Sequence, residues 1–136
     1  MKNKKTLLIF ALIAVIAVTG CGKKGNNENN NGSTLEPNTN QGVVADKEID
    51  VFTLKNTSLI WDGNQTELET TITNTSDEDA YIKGFNVKVY DEEGNVMATM
   101  YGYVGSNIKA HSSRVMSTGH FDNLSTAARV EYEVVK

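Results

Sequence analysis

The chain contains two histidines, His111 and His120, and histidine is the side chain that most readily performs acid–base chemistry near neutral pH. The two lie near opposite ends of one predicted strand, and one cysteine with no third histidine leaves a zinc site incomplete. The sequence also lacks the Gly-x-Ser-x-Gly motif that holds the serine nucleophile of many hydrolases. We therefore expect surface histidines, no resident metal or cofactor, and no enzymatic activity.

Carboxylates are concentrated in two short runs, Asp77–Asp79 and Asp91–Glu93. Carboxylate oxygens are good calcium ligands, which keeps calcium or small-solute binding as an alternative function. Neither run has the alternating Asp-x-Asp-x-Asp-Gly order of a preformed calcium loop, and consecutive residues at a strand end point in different directions. We favour the interpretation that both runs keep the domain soluble and discourage edge pairing.

Aromatic residues offer the third kind of chemistry, which is stacking on sugar rings. Tyr101 and Tyr103 are two residues apart, so they lie on one face of a strand. Together with Trp61 they form the candidate binding face, because exposed aromatics beside carboxylates can stack on a sugar and hydrogen-bond its hydroxyls. A core position is the stronger interpretation for Trp61, whereas core and surface positions are equally compatible with the tyrosines.

Charge is unevenly distributed along the chain. The formal net charge is −4, but the first twenty residues carry Lys2, Lys4 and Lys5 and no acidic residue. The remainder holds ten basic and seventeen acidic residues, a net charge of −7. A surface of that sign repels phosphate backbones, so nucleic acid is excluded as an expected partner. A single cysteine also excludes an internal disulfide.

The N-terminus has the organisation of a signal peptide. Residues 2–5 read Lys-Asn-Lys-Lys, and Leu7–Val18 is an unbroken run of twelve apolar residues. A membrane-spanning helix needs about twenty apolar residues, whereas a run of about 10–14 is typical of the hydrophobic region of a signal peptide. The run ends in Val18-Thr19-Gly20-Cys21, which resembles the lipobox of bacterial lipoproteins.

This resemblance implies that the Cys21 sulfur receives a diacylglyceryl group and that a signal peptidase cuts between Gly20 and Cys21. The mature protein would then be anchored by lipid to the outer face of the bacterial cell membrane, since two or more acyl chains give stable anchoring. The competing interpretation is an ordinary signal peptide or a buried apolar segment, and in either case Cys21 has no special role.

Composition divides the mature chain into a tether and a domain. Residues 21–46 contain the lipidated cysteine and a polar stretch with seven asparagines between Asn26 and Asn40, which predicts a disordered flexible linker. From residue 47 to 136 the sequence is rich in Val, Ile, Thr, Tyr and Phe, interrupted by Gly, Asn, Asp and Ser clusters. This pattern is typical of short strands separated by turns.

The clearest strand is Tyr81–Tyr90, in which Phe85, Val87 and Val89 point to one side. An acidic turn over residues 91–95 leads into a returning strand, so the two form a hairpin. The other predicted strands are Ile49–Leu54, Ser58–Trp61, Glu67–Thr73, Val96–Val104, Ile108–Thr118 and Ala128–Val134. Six or seven short strands predict an all-β fold, a small antiparallel two-sheet sandwich of immunoglobulin-like type.

Three short motifs in this domain match a known pattern. They are Asn74-Thr75-Ser76, the strand from Phe85 to Asp91, and Gly94-Asn95-Val96. Together they resemble the FxLYD and related immunoglobulin-like domains of bacterial surface proteins. The resemblance covers roughly residues 49–136 and implies a β-sandwich on an envelope protein, with no catalytic residues.

These patterns together predict a non-enzymatic binding or accessory protein of the cell envelope. Its partners would be the membrane, through lipid on Cys21, and an envelope protein or cell-wall glycan bound by the sandwich. The alternative is a lipoprotein that binds a small solute or calcium.

Overall fold

A computed structural model describes residues 34–136. The predicted signal peptide, the predicted cleavage after Gly20 and the predicted lipidation of Cys21 fall outside the described residues. The elements are β1 (Glu36–Pro37), α1 (Gln41–Val44), β2 (Lys47–Ile49), β3 (Phe52–Trp61), β4 (Thr66–Asn74), β5 (Ala80–Tyr90), β6 (Val96–Ile108), β7 (Ser113–His120) and β8 (Arg129–Val135).

The strands form two antiparallel sheets. In the first sheet, β3 lies between β4 and the short strands β1 and β2, and β7 follows on the far side of β4. The second sheet has the order β6-β5-β8. The chain changes sheet after β4, β6 and β7, so β7 returns beside β4 and β8 returns beside β5. The predicted all-β, two-sheet antiparallel sandwich is confirmed.

The core lies between the two sheets and is built from the inward residues of each strand. Phe85, Val87 and Val89 have no exposed surface, and the same is true of Leu68 and Ile72 in β4. Their spacing of two residues in β5 and four in β4 places them on one side of each strand, as predicted. Burial of these apolar side chains is the main force that holds the sheets together.

The hairpin between β5 and β6 also follows the sequence prediction. The Asp91 carboxylate accepts hydrogen bonds from the Asn95 backbone N–H at 2.7 Å and the Asn95 side-chain amide at 3.0 Å. Gly94 adopts a φ of 86°, a left-handed conformation that glycine tolerates best. The Asn95 side chain and the turn backbone hold the pKa of the Asp91 carboxyl below its usual range.

The predicted strand Ile108–Thr118 begins too early. Ile108 is the last residue of β6, a tight turn follows, and β7 starts at Ser113. The turn lacks glycine and proline, and His111 takes its left-handed position with a φ of 56°. Contacts from a distant loop support it, because the Asp79 carboxylate accepts the Ala110 backbone N–H at 3.0 Å. The turn therefore depends on tertiary contacts that local sequence does not reveal.

The predicted linker boundary at residue 46 is also wrong, since residues 36–49 pack against the sandwich. We call this segment the strap. Asn38 is 6% exposed, and its amide donates to the backbone carbonyls of Ser125 at 2.9 Å and Ala127 at 2.8 Å. Val43 in α1 is fully buried in the core. Asn38, which contributes to the linker-like composition, here satisfies buried backbone groups, and the folded domain includes Glu36.

Replacing Asn38 with alanine is expected to lower the free energy of unfolding by about 2–3 kcal/mol. The variant leaves the carbonyls of Ser125 and Ala127 without their donor, and a buried polar group that loses its partner costs about 1–3 kcal/mol. Equilibrium unfolding in urea measures the change. The matched control is Asn64→Ala in the exposed turn after β3, which we expect to change stability by less than about 0.5 kcal/mol. Equal stability of the Asn38 variant and wild type would show that the strap is a loose linker.

Candidate functional site

The outer face of the second sheet carries the predicted tyrosine pair. Tyr101 and Tyr103 lie in β6 and are 41% and 67% exposed, so the structure decides between the core and surface positions that the sequence left open. Residues of β5 and β8 complete the same face. We call this surface the tyrosine face and define it by Asn86, Lys88, Tyr101, Tyr103, Glu131 and Glu133.

Two glycines set the position of the tyrosine rings. A Cβ atom added to Gly84 would lie 2.8 Å from the hydroxyl oxygen and 2.9 Å from Cζ of Tyr101. A Cβ atom added to Gly105, which has a φ of 60°, would overlap the hydroxyl end of Tyr103. Each ring therefore lies across a glycine, where no side chain separates it from the backbone. Glycine inside a strand commonly marks such a close approach. Here the two glycines let the tyrosine rings pack against the backbone while the rings stay exposed to solvent.

A polar row runs from the tyrosines across the sheet. Asn86 in β5 is paired with Tyr101 on one side and with Glu133 on the other. Neighbouring strands lie about 4.8 Å apart, so this row spans about 10 Å. The Asn86 amide donates to the Glu133 carboxylate at 3.2 Å. Beside the row is a shallow depression of about 260 Å³ lined by Asn86, Lys88, Glu131, Tyr132 and Glu133.

The two carboxylates of the tyrosine face have different surroundings. Glu131 accepts a hydrogen bond from the Tyr90 hydroxyl at 2.9 Å and forms an ion pair with Arg129, whose guanidinium carbon lies 3.8 Å from the centre of the Tyr90 ring. The Tyr90 hydroxyl, helped by Arg129 and Lys88, holds the pKa of the Glu131 carboxyl below its usual range. Within residues 34–136, the contact found for Glu133 is the Asn86 amide, and no lysine or arginine is paired with it.

Trp61 does not belong to this face, which corrects the prediction that grouped it with the tyrosines. It is half-buried at the end of β3 in the first sheet, where it pairs with Glu36 and Thr66. Trp61 therefore lies in β3 of the first sheet, whereas the tyrosines lie in β6 of the second sheet. The sequence could not show this, because it does not reveal which sheet each strand joins.

The histidines and the acidic runs do not converge on a common site. His111 lies 2.9 Å from Asp77 before β7, and His120 lies 3.5 Å from Asp122 at the other end of that strand. Among the described residues, no group of three or more histidine, cysteine or acidic side chains is arranged to hold a metal ion. The structure therefore supplies no observation that favours the calcium alternative.

The fold and this surface define a small antiparallel β-sandwich protein with a polar outer face that carries two exposed aromatic rings. Comparison with protein-family profiles, with curated proteins and with solved structures found no match for the chain. In the part of the chain that the structure describes, no helix has the length and apolar character needed to span a membrane.

Proposed function

We propose that the mature chain is a lipid-anchored protein of the bacterial cell envelope, without enzymatic activity, whose sandwich binds a cell-wall glycan through the tyrosine face. The main observation behind this proposal is that Tyr101 and Tyr103 are exposed on a polar sheet face. The lipobox resemblance of Val18-Thr19-Gly20-Cys21 supports the location.

The chemistry of the tyrosine face suits a sugar better than a protein surface. A pyranose ring presents C–H groups on its faces and hydroxyls around its edge, so it can stack on an aromatic ring while its edge hydrogen-bonds polar neighbours. Tyr101 supplies such a ring, and Asn86 and Glu133 lie in the same row. The core of a protein–protein interface is depleted in charged residues, whereas this face carries Lys88, Glu131 and Glu133 around the depression beside its polar row.

The early start of the folded domain keeps the tyrosine face near the membrane. Fifteen peptide units separate Cys21 from Glu36, where β1 begins. An extended chain spans at most about 3.6 Å per residue, so these units reach at most about 55 Å. A domain held within that distance of the outer leaflet would meet the glycan layer closest to the membrane.

Replacing Tyr101 and Tyr103 together with alanine is expected to weaken binding to purified peptidoglycan by roughly ten- to a hundredfold. An aromatic contact contributes about 0.5–1.5 kcal/mol beyond its area, and two are lost here. Binding is measured by co-sedimentation of the full-length acylated protein, in detergent, with cell-wall sacculi that have been stripped of proteins and anionic polymers.

Phe121→Ala provides the control for loss of an exposed aromatic residue. Phe121 is 85% exposed in the loop after β7 and is not one of the residues that define the tyrosine face, so its replacement should leave binding unchanged. Thermal unfolding of each variant verifies that the domain remains folded. Failure of the wild-type protein to sediment with the sacculi, or undiminished sedimentation of the double tyrosine variant, would refute the proposed function.

A further inference from the structure

We infer that the tyrosine face prefers glycans that carry free, protonated amino groups, which are partially N-deacetylated amino-sugar polymers, over fully acetylated polymers of the same backbone. This inference rests on the proposed function and specifies the ligand class of the same site. It is carried by Glu133, an exposed carboxylate in one row with the Tyr101 ring.

Glu133 retains capacity to accept hydrogen bonds. An ionised carboxylate offers about four lone-pair positions on two oxygens, and the contact found here is one amide N–H from Asn86 at 3.2 Å. The neighbouring Glu131 is occupied by the Tyr90 hydroxyl and by Arg129. An ammonium group on a ligand would therefore find Glu133 available and Glu131 already neutralised.

Next to the tyrosine face, the protein itself contains a cation that contacts both a tyrosine ring and a carboxylate. Arg129 lies over the Tyr90 ring with 3.8 Å from its guanidinium carbon to the ring centre, and it also pairs with Glu131. A cation placed between a tyrosine ring and a carboxylate is stabilised by both the ring quadrupole and the charge. Tyr101 and Glu133 lie in one row about 10 Å apart with Asn86 between them, so a saccharide that stacks on the Tyr101 ring can bring an ammonium group to the Glu133 carboxylate.

The charge of the whole chain favours the same ligand. Beyond residue 20 the chain has ten basic and seventeen acidic residues, so it attracts cationic polymers and repels polyanions over long distances. This general attraction cannot distinguish one face from another. A test of Glu133 must therefore separate its local contribution from the net charge.

The experiment compares two forms of one polymer, fully acetylated and partially deacetylated poly-N-acetylglucosamine, as ligands of the full-length acylated protein in detergent. We expect wild-type protein to bind the deacetylated form about three- to fivefold more tightly, the range that an exposed ion pair provides. Glu133→Gln removes the charge and keeps the shape of the side chain, so its affinities for the two forms should become equal.

Glu69→Gln is the matched control. Glu69 is exposed on the outer face of the first sheet, so its replacement removes the same charge from the opposite side of the domain. It should retain the preference for the deacetylated polymer. Equal wild-type affinity for both polymers, or an equal loss of preference in the two glutamine variants, would overturn the inference and leave the proposed function standing. Absence of binding to both polymers would overturn the inference, and sedimentation of the protein with sacculi would then decide the proposed function separately.

Discussion

Replacing Phe85 with alanine is expected to lower the free energy of unfolding by about 3–5 kcal/mol, because truncation of a buried phenylalanine removes its burial energy and leaves a cavity. Phe85 has no exposed surface and lies in β5, the central strand of the second sheet. Its ring makes edge-to-face contacts with Phe52, at 6.4 Å between centroids, and with Tyr132, at 6.0 Å. Phe52 belongs to the first sheet, so the variant weakens the contact between the sheets as well as the second sheet itself.

Equilibrium unfolding in guanidinium chloride, followed by circular dichroism, measures this effect. A domain of this size has about 5–15 kcal/mol of total stability, so a large part would be lost. The control is Tyr81→Ala in the same strand, which removes a side chain that is 52% exposed and should cost much less. A loss below about 1 kcal/mol for the Phe85 variant would show that Phe85 does not join the two sheets as described.

The parts of the fold that the sequence predicted are those determined by nearby residues. Alternation of apolar and polar side chains identified β5 with its inward Phe85, Val87 and Val89, all of which are buried. The turn over residues 91–95 was also recognisable, because Asp91 and Gly94 satisfy its backbone within the turn itself. In both cases the stabilising partner lies within a few residues, so a short window of sequence contains the information.

The errors fall where the partner is distant in sequence. The asparagine-rich composition of the strap is typical of a flexible linker, because asparagine buries little apolar surface. In the structure, however, the amide of Asn38 donates to backbone carbonyls 87 and 89 residues away. The turn before β7 lacks glycine and proline, and it is supported by Asp79, 31 residues from Ala110. Composition indicates how much apolar surface a segment can bury. It does not indicate which buried carbonyl groups elsewhere in the chain need a hydrogen-bond donor from that segment.

The candidate site shows the same division. The spacing of Tyr101 and Tyr103 predicted a shared face, but their exposure depends on the strand register and on Gly84, which lies beneath the Tyr101 ring. Glu133 was not singled out, because it joins the row of Tyr101 only through Asn86 on the strand between them. Sheet order places residues of β6 and β8 on one face, on either side of β5, and no local pattern encodes that order.

Replacing Cys21 with serine is expected to abolish the lipid-modified, cleaved form of the protein. Serine lacks the thiol that the lipobox resemblance identifies as the acceptor of the diacylglyceryl group. Buried acyl chains contribute about 0.8 kcal/mol per methylene group, and one chain alone binds a membrane only reversibly, so anchoring depends on the complete modification. Without it, the twelve-residue apolar run Leu7–Val18 falls short of the roughly twenty residues needed to span a bilayer.

Mass spectrometry of protein isolated from cells checks this expectation directly. The wild-type product should begin at Cys21 and carry the mass of the lipid, as should a control with Gly22→Ala, which leaves the four lipobox positions intact. The serine variant should lack that mass. An unmodified sulfur on the wild-type product, or residues 1–20 still attached to it, would remove the basis for placing the protein at the envelope. Binding to sacculi by the tyrosine face should persist in the serine variant, because the rings and Glu133 lie in the folded domain. The two experiments therefore test membrane anchoring and glycan binding separately.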